Sequence, residues 1–319
     1  MSSQPEIVLH WFARSPYAQK IAWALNYKGV DYKVVNISMT EPRPLRRPLD
    51  GGYRKTPILQ IGDHVYCDTK AILAELERRF PSPSFYPPTR TGRGTEGLCK
   101  GLSQWTDTGI FQSIVSQFDF ASFPPDFLKD REEYWGRKVD VEKATEMRPY
   151  RLIELKAHLE WAELILSSPG DDNWILDTEK LSMADIHVAV GVWMVQNVVG
   201  KAMLEEFPGL AKHLQRVLTT VKFDRTATMP VIEPEQALEI VRTQRDTPSL
   251  GESSYDQFKS GQMVSVTPLD TGRRPVTGKL VHMSGQEVVL EHTDSEHNTT
   301  VYIHFPLVGF IVTPQDAKL

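Results

Sequence analysis

His10-Trp11-Phe12-Ala13-Arg14-Ser15-Pro16-Tyr17-Ala18-Gln19-Lys20 follows a short apolar run, Ile7-Val8-Leu9, and precedes a helical pattern, Ile21-Ala22-Trp23-Ala24-Leu25. Strand, tight loop and helix in that order predict a place where a small fold displays a reactive group over a helix N-terminus. Ser15 takes the N-cap and Pro16 the first helical position, the arrangement that capping and proline stereochemistry favour. A helix start carries unpaired N–H groups and a partial positive charge, which favour a nearby anion. Taken alone, Ser-Pro is an ordinary cap. The reading as a site depends on two later motifs.

Around this stretch, residues 6–88 alternate between strands and helices. Ile7–Leu9 reads as a buried strand, Pro16–Lys28 as a helix stopped by Gly29, and Tyr32–Ile37 as a second strand. A loop rich in Pro and Arg, Glu41–Pro48, ends at the turn signal Asp50-Gly51-Gly52. Ile58–Ile61 and His64–Tyr66 read as two further strands, and Asp68–Phe80 as a helix. The order β-α-β, loop, β-β-α predicts a mixed-sheet unit too small for a doubly wound dinucleotide fold. No glycine fingerprint follows the first strand, which argues against a nicotinamide site.

The second motif, Thr56-Pro57, stands at the head of a strand, where proline removes a ladder donor and needs a positional reason. Either it is a trans proline opening an edge strand, or it is cis and turns the backbone of Thr56 toward a ligand. The third, Asp68-Thr69, opens a helix. It reads either as a plain cap or as a pair in which Thr69 binds a carboxylate at the helix N-terminus and Asp68 an ammonium. A zwitterionic amino-acid group satisfies both.

Beyond the linker-like Pro81–Thr95, the pattern is helical from Glu96 to about Arg245, with segments near 96–118, 126–138, 142–167, 182–200, 208–222 and 234–245. Ser182-Met183-Ala184-Asp185 has the spacing of a capping box in an Asp variant, flanked by Leu181 and Ile186 as a hydrophobic staple. The helix that follows is apolar nearly all round and reads as the buried centre of a bundle. From Gly261 to Thr313 the chain turns to short β-rich runs, which predict a small all-β module, a barrel closing on itself to avoid exposed edges. The fold class is therefore α+β, with units at 1–88, 96–247 and 250–319.

Of the 319 residues, 40% are hydrophobic and 24% charged, with a net charge of −5, so no basic field points to nucleic acid or an acidic membrane. Two cysteines, Cys67 and Cys99, stand in no disulfide or metal spacing, which fits a reducing compartment. The first six residues lack a signal-peptide pattern, and no apolar run approaches the ~20 residues of a membrane span. The expected location is the cytoplasm. His282, His292, His297 and His304 are too irregularly spaced for a metal site, and none is expected.

Ser15-Pro16-Tyr17, Thr56-Pro57 and Asp68-Thr69 in register, followed by an all-helical half with Ser182-Met183-Ala184-Asp185, resemble the glutathione transferase superfamily. The segment Ser-Pro-Tyr-Ala-Gln-Lys is most similar to the omega-type and serine-type branches, and the chain resembles fungal members with a C-terminal extension. The likeness spans about residues 6–245. It implies a thioredoxin-like N-terminal domain, a helical C-terminal domain, a homodimer, a small-molecule electrophile as partner, and glutathione as cosubstrate. It further implies that Ser15 donates to the glutathione sulfur, that the backbone of Thr56, set by Pro57, pairs with the cysteinyl part, and that Asp68 and Thr69 hold the γ-glutamyl group. The family more often carries Glu-Ser there, so the shorter acid shifts that contact.

The glycyl carboxylate needs a cation, for which Arg43, Arg46, Arg47 and Lys55 are candidates, and Lys55 is counted among the expected binding residues. Arg14 is either a charge beside the sulfur or a solvated side chain. With Ser15 where the omega branch has cysteine, conjugation, isomerisation or thiol-assisted elimination is expected rather than disulfide chemistry. Cys67 is read as a buried hydrophobe rather than a redox sensor. Trp105, Phe111 and Phe118, at helical spacings, either line the electrophile pocket or belong to the bundle core or a dimer contact. The alternative to an enzyme is a GST-fold binding or assembly protein. The added β module favours a specialised, secondary-metabolic role over general detoxification.

Overall fold

A computed structural model of the chain describes residues 4–166, 174–253 and 257–315. The N-terminal unit runs β1 (Ile7–Trp11), α1 (Pro16–Lys28), β2 (Lys33–Asn36), α2 (Arg47–Asp50), β3 (Ile58–Ile61), β4 (His64–Cys67) and α3 (Thr69–Arg79). The ends of α1 are set by local chemistry. Ser15 Oγ accepts from Ala18 N at one end, and Gly29 ends the helix in the left-handed conformation at φ 68°. β1 pairs parallel with β2 and antiparallel with β3, and β3 pairs antiparallel with β4, the thioredoxin-like pattern.

The helical unit contains α4 (Glu96–Trp105), a π-helical turn at Thr106–Ile110, α5 (Phe111–Val115), α6 (Pro125–Trp135), α7 (Val141–Leu166), α8 (Met183–Val198), α9 (Pro208–Thr220) and α10 (Pro234–Thr243). As its composition predicts, α8 is buried almost throughout and sits at the bundle's centre. Asp185 accepts from Ser182 N at 2.8 Å, Ser182 Oγ at 2.7 Å and Ile175 N at 2.8 Å, so one buried carboxylate closes the helix start and the turn before it. Leu181 and Ile186 are both buried beside it.

The C-terminal strands β5 (Met263–Pro268), β6 (Val276–Met283), β7 (Glu287–Asp294), β8 (Thr299–Pro306) and β9 (Phe310–Pro314) correct the sequence reading. They form no self-closing barrel. The sheet order is β2-β1-β3-β4-β8-β7-β6-β5-β9, so the extension joins the N-terminal sheet at β4, where β8 pairs parallel through His64↔Tyr302, Val65↔Ile303 and Tyr66↔His304. The edge that the barrel was expected to abolish is covered instead by another part of the chain.

Polar and apolar contacts both hold this seam. His64 Nδ1 lies 2.7 Å from His304 Nε2, and His304 Nδ1 lies 2.6 Å from Glu287 Oε1. Tyr66 stacks on His304 at 4.2 Å between ring centroids. Beneath it, Val8, Leu49, Tyr53, Ile58, Val65 and Cys67 share one core with Val276, Leu290, Ile303 and Phe305 of the extension. Gly51 permits the closest approach: at φ 62°, an added Cβ would come 2.6 Å from Val276 Cγ1. Among the described residues no helix is long and apolar enough to cross a membrane.

Candidate functional site

Strand directions place the three motifs at one end of the sheet. β1 and β4 run opposite to β3, so the C-terminal ends of β1 and β4 and the N-terminal end of β3 coincide. Ser15 follows the first, Asp68 the second, and Thr56-Pro57 precedes the third. The N-termini of α1 and α3 therefore both face this edge, the position in which backbone N–H groups receive an anion.

Ser15 is buried, and its Oγ accepts the Ala18 N–H at 3.2 Å while its own N–H donates to Phe12 O at 3.0 Å. A hydroxyl has one donor and two acceptor sites, so the cap leaves its O–H able to donate. The Thr56–Pro57 bond is cis, one of the two readings that the sequence left open. Arg46 organises this turn: it donates to Thr56 Oγ1 at 2.8 Å, to Asp50 Oδ2 at 2.6 Å, and to the carbonyls of Tyr53 and Lys55. Asp68 caps α3 through Lys70 N at 2.9 Å, using one carboxylate oxygen, and Thr69 is buried as the first helical residue.

The candidate cations separate clearly. Arg43 is buried and donates to the carbonyls of Ser38, Met39 and Arg54, so it and Arg46 are committed to the backbone of their own loop. Arg47 and Arg14 are exposed. Lys55, half-buried beside Thr56, pairs with Asp270 from the β5–β6 loop. Nothing in the sequence links Asp270, in the loop Asp270-Thr271-Gly272, to a lysine more than two hundred positions earlier.

The floor of the cleft between the two units also escaped the sequence. The π-turn directs Asp107 at Lys20, 2.6 Å away and almost wholly buried, while Tyr17 Oη donates to Asp107 O at 3.2 Å. Such turns recur at functional sites. Burial first, then the nearby Asp107, Tyr134, Asp68 and Asp270, raises the Tyr17 phenol well above its ordinary value, so Tyr17 acts here as a neutral donor. Phe111 packs on Tyr17 with ring centroids 5.0 Å apart, which places it beside the site. Trp105 instead donates to His158 at 3.1 Å and faces Trp161, and Phe118 packs with Phe120 and Phe123. Cys67 is buried, and burial pushes its thiol well above the usual range, as a structural residue requires.

A separate cavity of about 520 Å³ opens between α5, α6 and the start of α7, lined by Val115, Phe120, Trp135, Arg137, Lys143 and Met147 among others. None of the three motifs lines it.

The chain is similar to known families and to solved structures. Residues 9–84 match the family model for the glutathione S-transferase N-terminal domain, and residues 114–223 match a domain family of unknown function. The chain is 28% identical over 82 residues to a protein named probable glutathione S-transferase from Solanum tuberosum, of which it spans 38%. A GST-like protein from Pseudomonas syringae is 29% identical, with a TM-score of 0.74 over 98% of this chain and 100% of that one, the β extension therefore included. A glutathione S-transferase of Ceriporiopsis subvermispora, solved in complex with glutathione, is 20% identical, with a TM-score of 0.54 over 67% of this chain and 97% of that one, and shares the fold. Sequence motifs, sheet topology and these likenesses together support the glutathione S-transferase superfamily, whose N-terminal domain model residues 9–84 match.

Proposed function

We propose that the chain binds glutathione at this sheet edge and uses its thiolate to attack a small electrophile, giving a conjugate or, where the adduct collapses, an isomer. One observation carries the reading: Ser15, with its O–H unspent, the cis Thr56–Pro57 turn and the α3 N-terminus share one edge. A free thiol of pKa ~8.5 is mostly protonated at neutral pH. A hydroxyl donor and the α1 N-terminus stabilise the anion, which is the nucleophile. Ser15 is the catalytic residue in this reading, Asp68 the partner of the γ-glutamyl ammonium, Thr69 of its carboxylate, and Thr56 of the cysteinyl backbone. Lys55 is the cation for the glycyl end, and exposed Arg14 adds only distant positive charge.

The test is spectroscopic. The thiolate absorbance of the glutathione complex, titrated against pH, should place the bound thiol below ~8.5. A bound thiol that titrates like free glutathione contradicts the reading.

The same reading includes a homodimer in the reducing cytoplasm. Both described cysteines are free and buried. The outer face of α7 exposes Tyr150 (65%), Ile153 (68%), Trp161 (57%) and Leu164 (69%) at helical spacing, an apolar stripe suited to a second copy. Sedimentation should show a dimer that Ile153→Glu dissociates. A monomeric wild type at micromolar concentration rules the dimer out.

A further inference from the structure

At the glycyl end of the proposed site the C-terminal extension enters it. Lys55 is the cation adjacent to the Thr56–Pro57 turn, and its ammonium is already paired with Asp270. Arg46 and Arg43 are spent on the loop backbone and Asp50, and Arg54 pairs with Asp130 at 2.8 Å. An incoming glycyl carboxylate therefore meets a lysine with an acid already on it.

The position of Asp270 is built. In the same loop Gly272 donates to Tyr134 O at 2.8 Å, and Arg274 pairs with Glu133, both on α6. Gly272 has φ 60°, and an added Cβ would stand 3.0 Å from the Tyr134 ring and 3.4 Å from Arg54 Cβ, so the close seat on α6 requires glycine. Arg273 Nε donates to Asp270 O at 2.9 Å, and Leu269 N donates to Gly309 O at 3.0 Å. α6 is in turn held over the N-terminal unit by Arg131 on Met39 O at 2.8 Å and by Glu41 N on Asp130 Oδ1 at 3.1 Å. Burial alone would raise the Asp270 carboxyl, but Lys55 and the Thr271 N–H hold it below its ordinary value, so it is an anion at neutral pH. Tyr17 and Tyr53 both feel the charges of Asp68 and Asp270, which places the two acids around the same space.

We propose that Asp270 is a specificity-determining residue: it competes with the carboxyl terminus of the thiol peptide for Lys55, so the site disfavours a charged glycyl end and favours a neutral one. The inference rests on the glutathione reading above. Two like charges cannot both occupy one ammonium without cost, whereas an esterified or amidated glycyl end makes no claim on Lys55.

The experiment is calorimetric titration of the full-length wild type and Asp270→Asn with reduced glutathione and with its glycyl ethyl ester. Asp270 is exposed, so the variant leaves the core untouched. Asp270→Asn should tighten glutathione about two- to five-fold, the worth of a partly exposed ion pair, and leave the ester unchanged. Equal tightening of both ligands would show general charge repulsion, and unchanged or weaker glutathione binding would show that Asp270 only positions Lys55; either overturns the proposal. Saturable ester binding with no glutathione binding until Asp270 is replaced supports it in its strongest form. Absence of binding in all four titrations overturns the glutathione reading itself, and this proposal with it.

Discussion

Ser15→Ala lowers turnover about a hundred- to a thousand-fold while leaving glutathione affinity nearly unchanged, the magnitude seen when one preorganised donor to a developing anion is removed. The asymmetry follows from what Ser15 touches. Its Oγ takes one internal hydrogen bond, from Ala18 N, and its own proton is the group left for the sulfur. In the proposed reading the tripeptide's backbone and γ-glutamyl contacts belong to Thr56, Asp68 and Thr69, which the substitution does not touch. The variant loses a helix cap worth about 1 kcal/mol, too little to unfold a two-layer core of this size. Any electrophile that the wild type turns over with glutathione, such as an aryl halide or an isothiocyanate, serves to measure it. Equal turnover by the two proteins removes Ser15 from the mechanism.

The second large effect is on stability in acid. His10, His64, His187 and His213 are buried, and burial in each case is the main cause that lowers the imidazole below 6.5, to about 4 for His10, about 3 for His64 and about 4 for His213, with His187 well below its ordinary value. Burial outweighs the Gln60 bond at 3.1 Å that favours a charged His10, and His64 lies buried against His304, so the native state holds His10 and His64 neutral. Because the unfolded chain binds more protons in this window, stability is full above about 6.5 and falls as pH drops toward the native values. Each such group costs about 1 to 2 kcal/mol by pH 5. Asp185, raised by burial to about 6 against its hydrogen bonds, acts in the opposite sense and offsets part of the loss. Urea midpoints measured at pH 7, 6 and 5 should fall steadily. A midpoint that stays level from pH 7 to 5 contradicts the neutral-core assignment.

The parts legible in the sequence are those fixed by short-range chemistry. Ser15-Pro16 and Gly29 bound α1, Ser182 and Asp185 start α8, and the apolar wrap of residues 186–193 marks a buried helix. Each is decided within a turn or two of chain, and the three motifs fell on one edge because strand order in this fold leaves no other arrangement. What escaped depends on distant partners. β-rich runs are recognisable as strands, but nothing local says that Ile303 sits beside Val65 rather than closing a barrel with its own neighbours. Arg43, Arg46 and Lys55 look alike in a basic loop; only folding shows that the first two bind carbonyls and that the third meets Asp270. The π-turn that aims Asp107 at Lys20 adds a residue to a helical repeat without any residue type that announces it.

The most direct measurement of the central claim is calorimetric titration of the purified full-length protein with reduced glutathione, run beside Asp68→Ala. The account predicts saturable one-site binding by the wild type, weakened about ten-fold or more when the carboxylate facing the γ-glutamyl ammonium is removed. Wild-type protein that shows no saturable binding of glutathione or of its glycyl ester, or an Asp68→Ala variant that binds equally well, would mean that this sheet edge keeps the family's geometry without holding its thiol.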